Sequence, residues 1–317
     1  FQRKQNPHRG RRTTSIKLVV FMNTKASFLP GILAMLLGQF CFSVNDSLVK
    51  WVVLQQSQEN SIFVVVFFRS ILMCVFIASF LSIQGELQIR KLLKPSQLYG
   101  RGLIEVGSTF FFLWSILILP LTDVYTNLLT VPLLITATGA AFFRERVDWQ
   151  EWAAVVIGFS GVLIVIWPEE MGFQRGYALP LIVTILVVSR EIYTKRMPLR
   201  FSGMQIVLVT GFMNTLVSGF ASVPFWINLG WNALPAILGA AAMLSVAHTM
   251  TVLTIRIAPL SVTSPGRYSI IVFGALSAFI FLGEIPAQGT IMGSLVIVSS
   301  GLFLLRRRQN YAWEKTT

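Results

Sequence analysis

Ionisable side chains set inside long apolar stretches are the residues of this chain best placed to do chemistry. Asp46 and Lys50 stand four apart, on one face of a helix. Arg69 sits about eight residues into the next apolar stretch, Glu105 lies beside Phe110, Phe111, Phe112 and Trp114, and Arg190 and Glu191 are adjacent to one another. His248 and Arg267, the latter just after Pro265 and Gly266, complete the set. A charge at the centre of a bilayer costs about 2.5–3.5 kcal/mol on insertion scales, so such a residue is paired or faces a cavity. The chemistry open to these groups is substrate binding or proton transfer. The spacing predicts an Asp46–Arg69 pair and its counterpart Glu191–Arg267. Each is readable as a structural tie between helices or as a functional site.

Glu105 could exchange protons, bind a cationic substrate or pair with a basic neighbour, and His248 is a proton relay or a hydrogen-bonded core residue. Tyr125, Asn127 and Tyr268 either line the cavity or pack between helices. Asp123 has the position of a helix cap. Glu145 and Glu284 belong to turns and read as structural, and Lys195 reads as reaching toward the membrane surface. Ala154–Gly158 and Gly289–Gly293, small residues spaced by four, predict close helix contact.

These positions are held by apolar elements. Of 317 residues, 54% are hydrophobic and 12% charged, about half the charge of a soluble domain. Ten spans are predicted, at about 28–52, 61–83, 98–118, 121–143, 150–167, 176–197, 203–226, 231–255, 259–282 and 286–305. In hydrocarbon the backbone must satisfy its own polar groups, so the spans are helices, and the alternating decapeptides of a barrel are absent. The expected fold is therefore an all-α integral membrane protein of about ten transmembrane helices.

With the N-terminus on the cytoplasmic side, nearly all Lys and Arg outside the spans fall on that side, and the outer loops hold only Arg175. This predicts both termini inside and a multi-pass protein of the cytoplasmic membrane. Residues 1–27 read as a basic, disordered N-terminal tail without the apolar region of a signal peptide, in which Met22 is an alternative start. Residues 306–317 read as a basic C-terminal tail. The net charge of +13 is spread over tail, connectors and the Arg306–Arg308 cluster rather than over one face, which argues against nucleic acid.

The two halves also match. Pro120 and Pro259, and Glu145 and Glu284, are both 139 residues apart. Ser160-Gly161-Val162-Leu163 and Ser300-Gly301-Leu302-Phe303 are 140 apart, and Asp46-x-x-x-Lys50 and Glu191-x-x-x-Lys195 are 145 apart. Five spans per half is an odd number, so the repeats, 28–167 and 176–305, enter the membrane from opposite sides. Inverted repeats place a substrate site near the midplane and permit alternating access.

The stretches Asn45-Asp46-Ser47-Leu48-Val49-Lys50-Trp51, Phe67-Phe68-Arg69-Ser70, Leu119-Pro120-Leu121-Thr122-Asp123, Phe143-Arg144-Glu145-Arg146-Val147, Ala258-Pro259-Leu260 and Gly283-Glu284-Ile285-Pro286 resemble the ten-helix drug/metabolite transporter superfamily, and within it the EamA-repeat proteins. The resemblance covers about residues 28–308. It implies a permease with a central cavity and a small organic substrate such as an amino acid, nucleotide-like metabolite, riboflavin or S-adenosylmethionine, moved inward or outward. Arg267 departs from what relatives often carry at that position.

The chain holds neither a G-x-x-x-x-G-K-[ST] phosphate loop nor an H-E-x-x-H zinc motif. The expectation is a secondary transporter driven by protons or by its substrate's gradient, not an enzyme, with membrane lipid and a small molecule as partners and with no cofactor or metal. Monomer and dimer both fit. An intramembrane enzyme or a scaffold is the competing reading.

Overall fold

The structure is a computed structural model that describes residues 29–56, 61–85, 87, 96–143, 148–166, 175–197, 201–226, 230–257 and 266–314. Residues 1–28 of the basic N-terminal segment, the Glu145 turn and Pro265 lie outside these. The described residues form eleven α-helices and no strand. In chain order they are α1 (Leu29–Leu54), α2 (Ser61–Ile83), α3 (Ser96–Ile118), α4 (Leu121–Leu128), α5 (Val131–Phe143), α6 (Trp149–Ile166), α7 (Ala178–Arg196), α8 (Gly203–Ser222), α9 (Leu234–Ile257), α10 (Ser269–Leu282) and α11 (Gln288–Glu314).

Seven of the helical segments are long and apolar enough to cross a membrane by themselves. The large apolar side chains left exposed on the helices, among them Leu103, Val156, Leu163, Phe220, Val272 and Met292, form the surface that meets hydrocarbon. Exposure on this scale is untenable in water and expected in lipid.

Two elements depart from the sequence expectation. The predicted span 121–143 is broken into α4 and α5. Pro132, the second residue of α5, has no N–H with which to bond the carbonyl four residues earlier. Thr130 fills the gap by donating its N–H (3.1 Å) and its hydroxyl (2.6 Å) to the Asn127 carbonyl. The final span does not give way to a tail at 306, because α11 runs on to Glu314 and the Arg306–Arg308 cluster is helical.

Packing joins the first five spans to the last five. α1 packs on α9 and α3 on α7, while α2 packs on α8 and α6 on α11. α1 also meets α10 where α4 and α5 meet α7, and α3 meets α8 where α2 meets α9. Each of these contacts keeps a counterpart when the first half is exchanged for the second.

At the α6–α11 seam the two backbones approach closely. A Cβ placed on Gly161 would stand 2.8 Å from the Gly293 carbonyl oxygen and 2.8 Å from Ile297 Cγ1. Gly161→Val is therefore expected to force the two helices apart and to destabilise the protein by about 1–3 kcal/mol, read as a lower thermal unfolding temperature in detergent. An unchanged temperature would show that the seam yields freely.

Candidate functional site

Helices α1, α2, α3, α4, α5, α7, α8, α9 and α10 surround a central cavity with about 1130 Å³ of non-atom space, part of it open to solvent. Most of its wall is apolar, with Phe42, Phe112, Leu113, Val187 and Leu244 among the lining residues. Set into that wall are Asp46, Arg69, Glu105, Arg190, His248, Arg267 and Tyr268. The cavity therefore gathers charged residues that lie as much as 221 positions apart in sequence (Asp46 and Arg267).

The pairing within this set differs from the sequence expectation at its first member. Asp46 and Arg69 do not form an ion pair. Asp46 instead accepts a hydrogen bond from the Tyr125 hydroxyl (2.7 Å) and another from the Asn45 amide (2.7 Å). Tyr125 is carried to it by α4, and it stacks on Phe112 with ring centroids 6.1 Å apart. The Tyr125 ring fills the space left by Gly274 on α10, where a Cβ would overlap it. A neutral phenol on a neighbouring helix was thus a better-placed partner for the carboxylate than the nearest cation in sequence.

The expected second pair is present, with Arg267 Nη1 bonded to Glu191 Oε1. Glu105 is clamped by two guanidinium groups, Arg190 at 2.7 Å and Arg101, one helical turn earlier, at 3.2 Å. Arg101 also donates to Thr194 (3.0 Å) and Thr210 (2.6 Å). That arrangement ties α3 to α7 and α8 and favours the structural pairing among the roles open to Glu105. Arg101, inside the predicted span 98–118, is not among the candidates read from the sequence. Its signal was the four-residue spacing to Glu105. His248 meets Phe42 edge-on, with centroids 5.2 Å apart. The Tyr268 hydroxyl is buried without a hydrogen-bond partner.

Asn127 lies outside the cavity wall. It donates to the Asp123 carbonyl (2.9 Å), and its own carbonyl holds the α4–α5 break. Asp123 is not a cap, since the N-cap position of α4 is Pro120 and makes no side-chain bond. Its carboxylate accepts from Tyr177 (2.7 Å) and Thr290 (2.5 Å), joining α4 to the 175–177 turn and to α11.

A second polar layer lies around Lys50, one helical turn beyond Asp46 on α1, and includes Glu284, which the sequence placed in a turn. Gly283 adopts φ 68° at the end of α10, a left-handed conformation natural to glycine. The Glu284 N–H folds back onto the Ala278 carbonyl (3.2 Å), and the Glu284 side chain turns across to α1. There it pairs with Lys50 and accepts the Leu121 N–H (2.9 Å). Lys50 in turn donates to the Leu119 carbonyl (2.9 Å). The two side chains grip the Leu119-Pro120-Leu121 segment from both sides. A carboxylate at the open N–H groups that start α4 is favoured by the helix dipole. Lys50 thus pairs with Glu284 rather than with Asp46, four residues earlier.

Comparison with known proteins extends over most of the chain. Residues 29–167 match the EamA-like transporter family. The S-adenosylmethionine uptake transporter of Rickettsia prowazekii (strain Madrid E) is 23% identical over 88% of this chain and 93% of its own length. The riboflavin transporter of Vibrio cholerae is 23% identical over 92% of this chain and 100% of its own. The pseudopaline exporter CntI of Pseudomonas aeruginosa is 24% identical over 88% and 97% respectively. A crystal structure that superposes with TM-score 0.62, at 15% identity and over 88% of this chain and 97% of its own, shares the fold.

Proposed function

We propose that the chain, whose residues 29–167 match the EamA-like transporter family, is a small-molecule permease that works by alternating access with the central cavity as its substrate site. The observation that supports this reading is the cavity itself, whose wall gathers charged side chains from both halves of the chain. The Lys50–Glu284 layer, one helical turn beyond Asp46 on α1, is read as the closure of that end of the cavity. With Lys and Arg directing the termini to the cytoplasm, that end is the outer one, and on this reading the cavity belongs to an inward-facing state.

The second half, 176–305, is taken as the same unit inverted. The matched landmarks in sequence and the mirrored helix contacts support this. Rocking one half against the other would then exchange which end is closed. The membrane is the cytoplasmic one and the drive is a proton gradient or the substrate's own. A protonophore that abolished accumulation would select the first drive.

The named relatives make S-adenosylmethionine, which carries a carboxylate, and riboflavin, which carries none, the first two cargoes to compare. In proteoliposomes, uptake of the true cargo should saturate with concentration. Arg267→Ala would leave Glu191 buried without its cation and should lower the rate to about a tenth or less, while Gln84→Ala, at an exposed position, should leave it unchanged. Non-saturating flux through the wild-type protein would point to a channel and overturn the carrier reading.

A further inference from the structure

Taking the cavity as the transport site proposed above, we infer that Arg69 is the anchor for a carboxylate on the cargo, and that the cargo is a monocarboxylate with a flat apolar body. The charges around the cavity carry this. Glu105 holds Arg101 and Arg190, and Glu191 holds Arg267. Asp46 is occupied by Tyr125 and Asn45. Arg69 lines the cavity at 3% exposure. Its electrostatic neighbours are Asp46 and Glu105, yet no described carboxylate lies within ion-pair distance of it, and its Nε is buried with no hydrogen-bond partner. Among the described groups, Arg69, Arg101, Arg190 and Arg267 face Asp46, Glu105 and Glu191, an excess of one positive charge.

A guanidinium keeps its proton under any physiological condition, so it cannot escape burial by becoming neutral. A buried charge without a counter-ion is costly, and the cost is relieved when an anion arrives. A carboxylate meets the planar guanidinium fork with two parallel hydrogen bonds, and its single charge equals the excess. A phosphate monoester, with close to two charges at neutral pH, would exceed it.

The rest of the wall describes the cargo's body. Phe112 and Tyr125 present stacked rings, and Phe42 lies against His248. The carbonyl oxygens of Asn45 and Asn214, both in the lining, are buried without a donor and could accept an N–H or O–H from the cargo.

The test uses the full-length protein in detergent and three acids, indole-3-acetate, nicotinate and phenylacetate, each beside its neutral primary amide. At least one acid should raise the thermal unfolding temperature and its amide should not, corresponding to about tenfold or more weaker binding of the amide. Arg69→Gln should abolish the acid's effect. Arg69→Lys, which keeps the charge and loses the fork, should bind at an intermediate level. Arg69 has no ion pair to lose, so both variants are expected to fold, and the acid–amide comparison on the wild-type protein stands without them. Equal stabilisation by acid and amide, no stabilisation by any of the three acids, or full binding by Arg69→Gln would each overturn the assignment. An acid that binds through Arg69 but is not accumulated by proteoliposomes would support the carboxylate anchor and count against the permease reading instead.

Discussion

Glu284→Ala is expected to open the Lys50 end of the cavity to the aqueous phase on that side. The substitution leaves Lys50, only 4% exposed, without its counter-ion and takes the acceptor from the Leu121 N–H. Removing one partner of a buried ion pair costs about 3–5 kcal/mol, because the remaining charge stays buried and uncompensated. At about 1.4 kcal/mol per tenfold, that would shift the balance between closed and open states by roughly a hundredfold or more. Leu129 lines the cavity and is 2% exposed, so a cysteine there reports on access. With Cys41 and Cys74 replaced by serine, a membrane-impermeant thiol reagent added outside should label Leu129→Cys at least about tenfold faster when Glu284→Ala is also present. Lys50→Leu combined with Glu284→Leu should return labelling toward the starting rate, since an apolar pair removes the stranded charge. Identical labelling with and without Glu284 would show that the closure resides elsewhere.

Glu105→Gln is expected to have the largest effect on stability. Glu105 is 3% exposed and is the shared partner of Arg101 and Arg190. Neutralising it leaves two buried guanidinium groups facing each other between α3 and α7. Arg101 keeps its bonds to Thr194 and Thr210, which limits its share of the loss. Arg190 has no other carboxylate in ion-pair contact among the described residues. A loss of about 3–5 kcal/mol follows, measurable as a fall of about 10 °C in thermal unfolding. Adding Arg190→Met should recover part of it, because one stranded charge is then removed. An unchanged unfolding temperature would mean that water or a neighbouring group already screens the arginines, and the clamp would lose its structural role.

The sequence-level reading and the structure agree where a one-dimensional constraint acts. The lengths of the apolar runs located most described helix ends to within a few residues, because hydrocarbon admits no other backbone, while α11 runs nine residues past the predicted end at 305. The break at 129–130 was missed although Pro132 announced it. A hydropathy window averages over a proline, while the hydrogen-bond ladder cannot. The pair Glu191–Arg267 was legible because both residues sit at matching depths in their helices. Asp46–Arg69 met the same depth criterion and failed, because depth says nothing about which face of each helix is turned inward. Tyr125, neutral and therefore inconspicuous as a charge partner, took the position instead.

By itself the sequence determined that this chain is a bundle of membrane helices with ionised groups buried in it. Both conclusions follow from transfer energies that each residue brings irrespective of its neighbours. Only the tertiary structure decided who neutralises whom: Lys50 with Glu284, Glu105 with two arginines, Asp46 with a phenol, and Arg69 with no carboxylate. Those choices depend on distances of a few ångströms between helices that are far apart in sequence, and Coulomb and hydrogen-bond energies fall too steeply with distance for spacing along one chain to predict them.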